Sequence, residues 1–122
     1  MTPTILLVDD EPNILLSLDF LMRKNGYKVL LARNGTEALQ LLSEHLPNLV
    51  ILDIMMPDVD GYEICTRIKN STDYSSTKVI FLSAKSKESD ISKGLEKGAD
   101  AYITKPFSNR GLLDKVQELL SA

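Results

Sequence analysis

The sequence predicts one α/β domain, a five-stranded parallel sheet with helices on both faces. Three observations predict it. Short β-type apolar runs alternate strictly with longer segments of helical spacing, the pattern of strand–helix–strand units. Those short runs are continuously apolar rather than alternating, as strands buried on both faces are. Finally, 122 residues with 43% hydrophobic and 25% charged side chains suit a single globular domain, residues 1–122, without disorder.

The elements follow in order. Residues 4–8 form the first strand. Pro12 suits the first turn of a helix in which Ile14, Leu15, Leu18, Leu21 and Met22 share one face, and Gly26 suits its stop. Residues 28–32 form the second strand. Asn34 and Glu37 have capping-box spacing ahead of a helix that carries Ala38, Leu41 and Leu42. His45 ends that helix, where the dipole favours a basic group. Residues 48–52 form the third strand. Asp60 and Glu63 repeat the capping box before a helix bearing Ile64, Cys65 and Ile68, and the apolar face places Cys65 in the core. The polar stretch 70–77 reads as a loop, and residues 79–82 as the fourth strand. The fourth helix, about residues 86–97, is anchored only by Ile91 and Leu95 among charged neighbours. So narrow a stripe marks an element able to move or to meet a partner. Residues 101–104 form the fifth strand. The last helix carries Leu112, Leu113, Val116, Leu119 and Leu120, and Gly111 near its start costs up to about 1 kcal/mol relative to alanine.

Composition narrows the chemistry. A net charge of -3 and a pI near 5.1 argue against a nucleic-acid surface. No apolar run approaches the roughly 18 residues of a membrane span, and Asp9 and Asp10 come too early for a signal peptide. One cysteine allows no internal disulfide, and one histidine allows no multi-histidine zinc site. A cytoplasmic domain with carboxylate chemistry is the expectation.

In open parallel sheets, ligands bind beyond the carboxyl ends of the strands. The first strand is followed by Asp9, Asp10 and Glu11, the third by Asp53, the fourth by Ser83 and Ala84, and the fifth by Lys105 and Pro106. Taken singly, an aspartate pair caps turns and a lysine is solvated. Jointly, the three carboxylates of Asp9, Asp10 and Asp53, one hydroxyl and one ammonium arrive at one edge from distant segments. At about 5 Å and an effective dielectric near 20, each carboxylate pair repels by on the order of 3 kcal/mol. Mg²⁺, or Mn²⁺ in its place, relieves this and suits a site of few carboxylates completed by water and phosphate oxygens. Three carboxylates, one lysine and Mg²⁺ sum to about zero. Phosphorylating Asp53 then leaves about one excess negative charge, which draws in hydrogen-bond donors. Ser83 is the nearest mobile donor.

Four stretches carry a resemblance: LLVDDEP around Asp9 and Asp10, VILDIMMPDVDG around Asp53, FLSAK around Ser83 and AYITKPF around Lys105. Together they resemble a receiver domain of the two-component response-regulator family, over the whole chain. The resemblance implies a flavodoxin-like, doubly wound sheet of strand order 2-1-3-4-5 with five helices. It implies that Asp53 is the phosphoacceptor, Asp10 a direct Mg²⁺ ligand, Asp9 its partner through water, and the main-chain carbonyl of Met55 a further ligand. Lys105 pairs with the phosphoryl oxygens, Ser83 fills the hydroxyl position of the switch, Tyr102 fills its aromatic position, and Pro106 follows a cis bond. Met55 and Lys85 flank the path of a hydrolytic water. The implied partner is a sensor histidine kinase or a histidine phosphotransfer protein, which docks on Ile14, Ser17, Pro106 and Phe107. The resemblance also allows a homodimer through the fourth helix, fifth strand and fifth helix, with Asp100 and Lys115 as contacts. Gly111, where related receivers commonly carry an acid, weakens that inheritance. Such a domain catalyses its own phosphorylation and autodephosphorylation without being a multiple-turnover enzyme.

Three rivals fit less well. An aspartyl phosphohydrolase needs an acid two residues after its nucleophile, and that position is Met55. A flavodoxin-like electron carrier needs a phosphate cradle where Asp9, Asp10 and Glu11 repel one. A degenerate receiver, acting only as a protein-interaction module, is at odds with intact Asp9, Asp10, Asp53, Ser83 and Lys105.

Overall fold

The strands β1 (Thr4–Val8), β2 (Lys28–Ala32), β3 (Leu49–Leu52), β4 (Lys78–Ser83) and β5 (Ala101–Thr104) are all parallel and lie in the order β2-β1-β3-β4-β5. This is the expected order, seen in a computed structural model that describes residues 2–121. The helices are α1 (Pro12–Lys24), α2 (Gly35–Glu44), α3 (Gly61–Asn70), α4 (Glu88–Glu96) and α5 (Asn109–Leu120). No helix of the described residues is long and apolar enough to cross a membrane.

Continuous apolarity in the strands now has its cause. Along β1, Leu6 and Val8 join one core cluster while Ile5 and Leu7 join the other. On the first face α2 and α3 bring Ala38, Leu42, Ile64, Cys65 and Ile68 against Val50, Leu52, Val79 and Phe81. On the second, α1 and α5 bring Leu15, Leu18, Met22, Leu112 and Val116 against Leu49, Ile51, Ile80 and Leu82. Each such side chain contributes roughly 1.5–3 kcal/mol by leaving water. The buried Cys65 thiol is pushed up to about 11 by burial and behaves as a core residue.

Both expected caps form. The Asn34 side chain accepts from Glu37 N at 2.8 Å, and that of Asp60 accepts from Glu63 N at 2.9 Å. Other expectations need correction. Asn48 is not in β3. It stands just outside, with its side-chain oxygen accepting from Thr4 N at 2.8 Å and its own N–H donating to Thr4 O. The stretch 70–77 is not a plain loop, because Thr72–Tyr74 make a 3-10 turn. Tyr74 packs against the first core face and its hydroxyl donates to the Leu42 carbonyl. The fourth helix is shorter than expected, and its anchors differ. Leu95 is 47% exposed, Ile91 is half-buried, and the buried residue is Gly94. A Cβ at Gly94 would stand 2.9 Å from Tyr102 Cδ2 and 3.0 Å from Phe81 Cδ2. Helix α4 thus rests its backbone on two aromatic rings, and no apolar side chain announces the contact.

Candidate functional site

The sheet register decides what meets at its carboxyl edge. Val8 lies beside Leu52, and Ser83 beside Thr104. The next residue along β1, β3 and β5 is Asp9, Asp53 and Lys105 respectively. Asp9, Asp53 and Ser83 are buried, whereas Asp10 is exposed. Asp10, Asp53 and Ser83 line a cleft of about 300 Å³ together with Glu11, Met55, Ala84 and Lys105.

Lys105 ties the cluster together. Its Nζ stands 2.9 Å from Asp9 Oδ2, 3.0 Å from Glu11 Oε1 and 3.8 Å from Asp53 Oδ2. The remaining oxygens are oriented by the chain itself. Asp9 Oδ1 accepts from Glu11 N at 2.9 Å, and Asp53 Oδ1 accepts from Ile54 N at 2.8 Å. Carboxylate oxygens of Asp9, Asp10 and Asp53 all lie within 4.8 Å of one another. One lysine does not neutralise three such groups. Burial and then the Asp9 charge raise the Asp53 carboxyl to about 6, with Lys105 opposing. Burial likewise raises Asp9. Burial pulls the Lys105 ammonium down, but its hydrogen bonds to Asp9 and Glu11 outweigh that and hold it above its ordinary value. Hard oxygen donors with surplus negative charge fit a small divalent cation such as Mg²⁺.

A second chain of contacts leads away from the cleft. Ser83 Oγ accepts from Lys85 N at 3.2 Å, and the Tyr102 hydroxyl donates to Lys85 O at 2.7 Å. The Tyr102 ring packs 5.9 Å from that of Phe81, centre to centre. Ser83 and Tyr102 therefore share the turn that leads into α4. The Lys105–Pro106 bond is cis.

The other residues singled out by sequence are dispersed. Ser17 and Pro106 are exposed, while Ile14 and Phe107 are half-buried against the second core face. Asp100 is engaged within the chain, accepting from Lys69 Nζ and from Val79 N, each at 2.8 Å. Lys115 pairs with Glu118 at 2.9 Å. Sequence reasoning used Glu11 only as a charge that repels phosphate and did not place it against Lys105, although an acid beside Asp9 and Asp10 was the available signal. It also passed over Leu16 and Phe20, which lie on the outer side of α1 at 65% and 69% exposure. Large apolar side chains facing water were the signal there.

Comparison with known proteins agrees with this geometry. The profile of the response regulator receiver domain matches residues 5–117. The chain is similar to the BeF3-activated receiver domain of DrrB, with 37% identity, both chains covered in full and a TM-score of 0.91. It is similar to the signal receiver domain of a signal transduction histidine kinase from Syntrophus aciditrophicus, with 38% identity over 98% of this chain and 91% of that one, TM-score 0.91. A CheY-like response regulator receiver domain protein from Methanospirillum hungatei JF-1 shares 31% identity over 99% and 95% of the two chains, TM-score 0.88.

Proposed function

The chain belongs to the response-regulator receiver-domain family of two-component signalling, and from that premise we propose that it is a phosphoacceptor switch centred on Asp53. One observation carries the proposal. Two buried carboxylates, Asp9 and Asp53, converge on the Lys105 ammonium in a cleft that also holds the Ser83 hydroxyl.

In this reading an Asp53 oxygen attacks the phosphorus of a phosphohistidine on a histidine kinase or phosphotransfer protein. The O–P bond forms as the P–N bond breaks, and the imidazole leaves with the bonding pair. Asp10, Asp53 and the Met55 carbonyl would hold Mg²⁺, with Asp9 as an outer partner. When bound, the ion would neutralise charge on the transferring oxygens, where most catalysis of phosphoryl transfer lies. Lys105 supplies the chain's own positive charge to the same oxygens and must exchange Asp53 or Asp9 for them. Burial keeps competing water away from the carboxylate.

The switch would be a population shift. Charge gained at Asp53 draws the Ser83 hydroxyl toward the cleft, and Lys85, bonded to both Ser83 and Tyr102, transmits the change to α4. Moving an equilibrium from about 1:99 to 99:1 needs about 5.5 kcal/mol. Two to four charge-assisted hydrogen bonds of about 1.5–3 kcal/mol each would supply it. The Tyr102 hydroxyl already reaches Lys85 O. Phosphorylation would therefore consolidate this packing. BeF3, with which the related DrrB receiver domain is activated, is the convenient probe of that state.

The kinase-facing surface would combine Ser17 and Pro106, rimmed by Ile14 and Phe107, with the exposed Leu16 and Phe20. An apolar pair one helical turn apart suits a helical partner. The test is a phosphotransfer profile from histidine kinases to wild type and Asp53→Ala. Transfer to wild type alone supports the proposal. Equal labelling of both proteins contradicts it.

A further inference from the structure

We propose that Asp58 is a positioning residue for the phosphoacceptor loop: by gripping the first turn of α2 it holds segment 54–60 in the shape that lets Met55 serve the metal. This rests on the reading of Asp53 as a magnesium-assisted phosphoacceptor.

The loop leaves the sheet after Asp53 and returns at α3. Its neck is closed by Gly61 N, which donates to Ile54 O at 2.9 Å. Its last residue, Asp60, is occupied in capping α3. Its tip reaches sideways. Asp58 Oδ1 accepts from Gly35 N at 3.0 Å, while Oδ2 accepts from Thr36 N at 2.8 Å and from Thr36 Oγ1 at 2.5 Å. Steric fit reinforces these bonds. A Cβ at residue 35 would stand 2.5 Å from Val59 O and 2.6 Å from Val59 Cβ, so glycine alone lets the tip seat on the helix.

Helix α2 also has a cap of its own. Asn34 accepts from Glu37 N, while the amides of the buried Gly35 and the exposed Thr36 go to Asp58. Three bonds on one carboxylate, two from amides at the positive end of a helix, therefore fasten the loop tip to α2. They hold the Asp58 carboxyl well below the ordinary range, chiefly through the Thr36 hydroxyl and amide. Met56 and Val59 pack against the core and fix the loop's apolar side, whereas Met55 is 61% exposed. Met55 lines the cleft with Asp53 and is three residues from the Asp58 tether. It stands between two fixed points, the Ile54–Gly61 neck and the Asp58 tip.

Calorimetric titration with Mg²⁺ alone, at fixed ionic strength, tests the role. It is paired with hydrogen exchange over segment 54–60 in EDTA. Asp58→Ala is expected to weaken Mg²⁺ binding roughly tenfold, the low end for outer-shell partners of metal sites, and to speed exchange in the loop. Asp58→Asn, which keeps a side-chain oxygen, should fall between it and wild type. Asn34→Ala removes a cap from the same helical turn without touching the loop, and should leave both readouts at wild-type values. Equal weakening by Asn34→Ala and Asp58→Ala, or wild-type binding in Asp58→Ala, overturns the positioning role. Should Asp58→Ala not fold, Thr36→Ala removes the hydroxyl bond alone: weaker binding supports the role and unchanged binding overturns it. A wild-type chain that binds no Mg²⁺ contradicts the phosphoacceptor reading itself.

Discussion

Asp53 is held ionised against its surroundings. Its carboxyl is raised to about 6 by burial and by Asp9, from an ordinary 3.8. A folded-state value above the unfolded one means that the neutral form stabilises the fold. That stabilisation is full below about pH 4 and is lost as pH rises through 6. At about 1.36 kcal/mol per pH unit the shift corresponds to about 3 kcal/mol at neutral pH without metal. Asp53→Asn should therefore raise the melting temperature at pH 8 in EDTA, and the gain should vanish near pH 4. Equal melting of the two proteins at both pH values would argue that the carboxylate is not under strain. Met55 is the second residue with a specific consequence. Its apolar side chain at the cleft mouth offers nothing to orient a hydrolytic water. Slow autodephosphorylation follows, and Met55→Asn should accelerate loss of the phosphoryl group severalfold in a phosphate-release time course. An unchanged rate would show that Met55 does not set the phosphoryl lifetime.

Among the elements, α4 is the one whose seat is unusual. Its buried point is Gly94, in contact range of the Tyr102 and Phe81 rings. Tyr62 adds a hydroxyl bond to Asp90 O at 3.3 Å, and Lys93 Nζ lies 4.5 Å from the centre of the Tyr62 ring. Gly94→Ala must push either the helix or the Tyr102 ring aside. Overpacking of this kind costs about 1–3 kcal/mol, read as a lower urea midpoint together with shifted Tyr102 ring resonances. Wild-type stability and spectra would show that the contact yields freely. Helix α1 offers the opposite case, a well-seated helix with apolar side chains left in water. Phe20→Asp should slow phosphotransfer from a cognate kinase at least severalfold while labelling by acetyl phosphate stays at the wild-type rate. Loss of both reactions would point to damage at the cleft instead of at a docking face.

At the scale of the whole molecule, sequence and structure agree where one physical rule governs. Parallel strands buried on both faces must read as apolar runs, and the residue after each must emerge at the carboxyl edge. Asp9, Asp53 and Lys105 were legible for that reason, and Ser83 stands at the same edge as the last residue of β4. What stayed hidden depends on contacts that periodicity does not encode. Gly94 buries a helix face with no side chain, so Ile91 and Leu95 looked like the anchors. Tyr74 folds a polar stretch onto the core from outside any regular element. Asp58 works across 22 residues on Thr36, a distance no local pattern spans. Leu16 and Phe20 lie opposite the apolar stripe of α1 and look like noise in its periodicity until their exposure is seen.

All of this depends on Asp53 accepting a phosphoryl group in the cleft that Lys105 and the neighbouring acids form. Intact-mass spectrometry after incubation with acetyl phosphate tests it most directly, with Mg²⁺ or with EDTA. A single phosphoryl adduct on wild type, present only with Mg²⁺ and absent from Asp53→Ala, is the predicted result. No adduct on wild type, or the same adduct on Asp53→Ala, would contradict it.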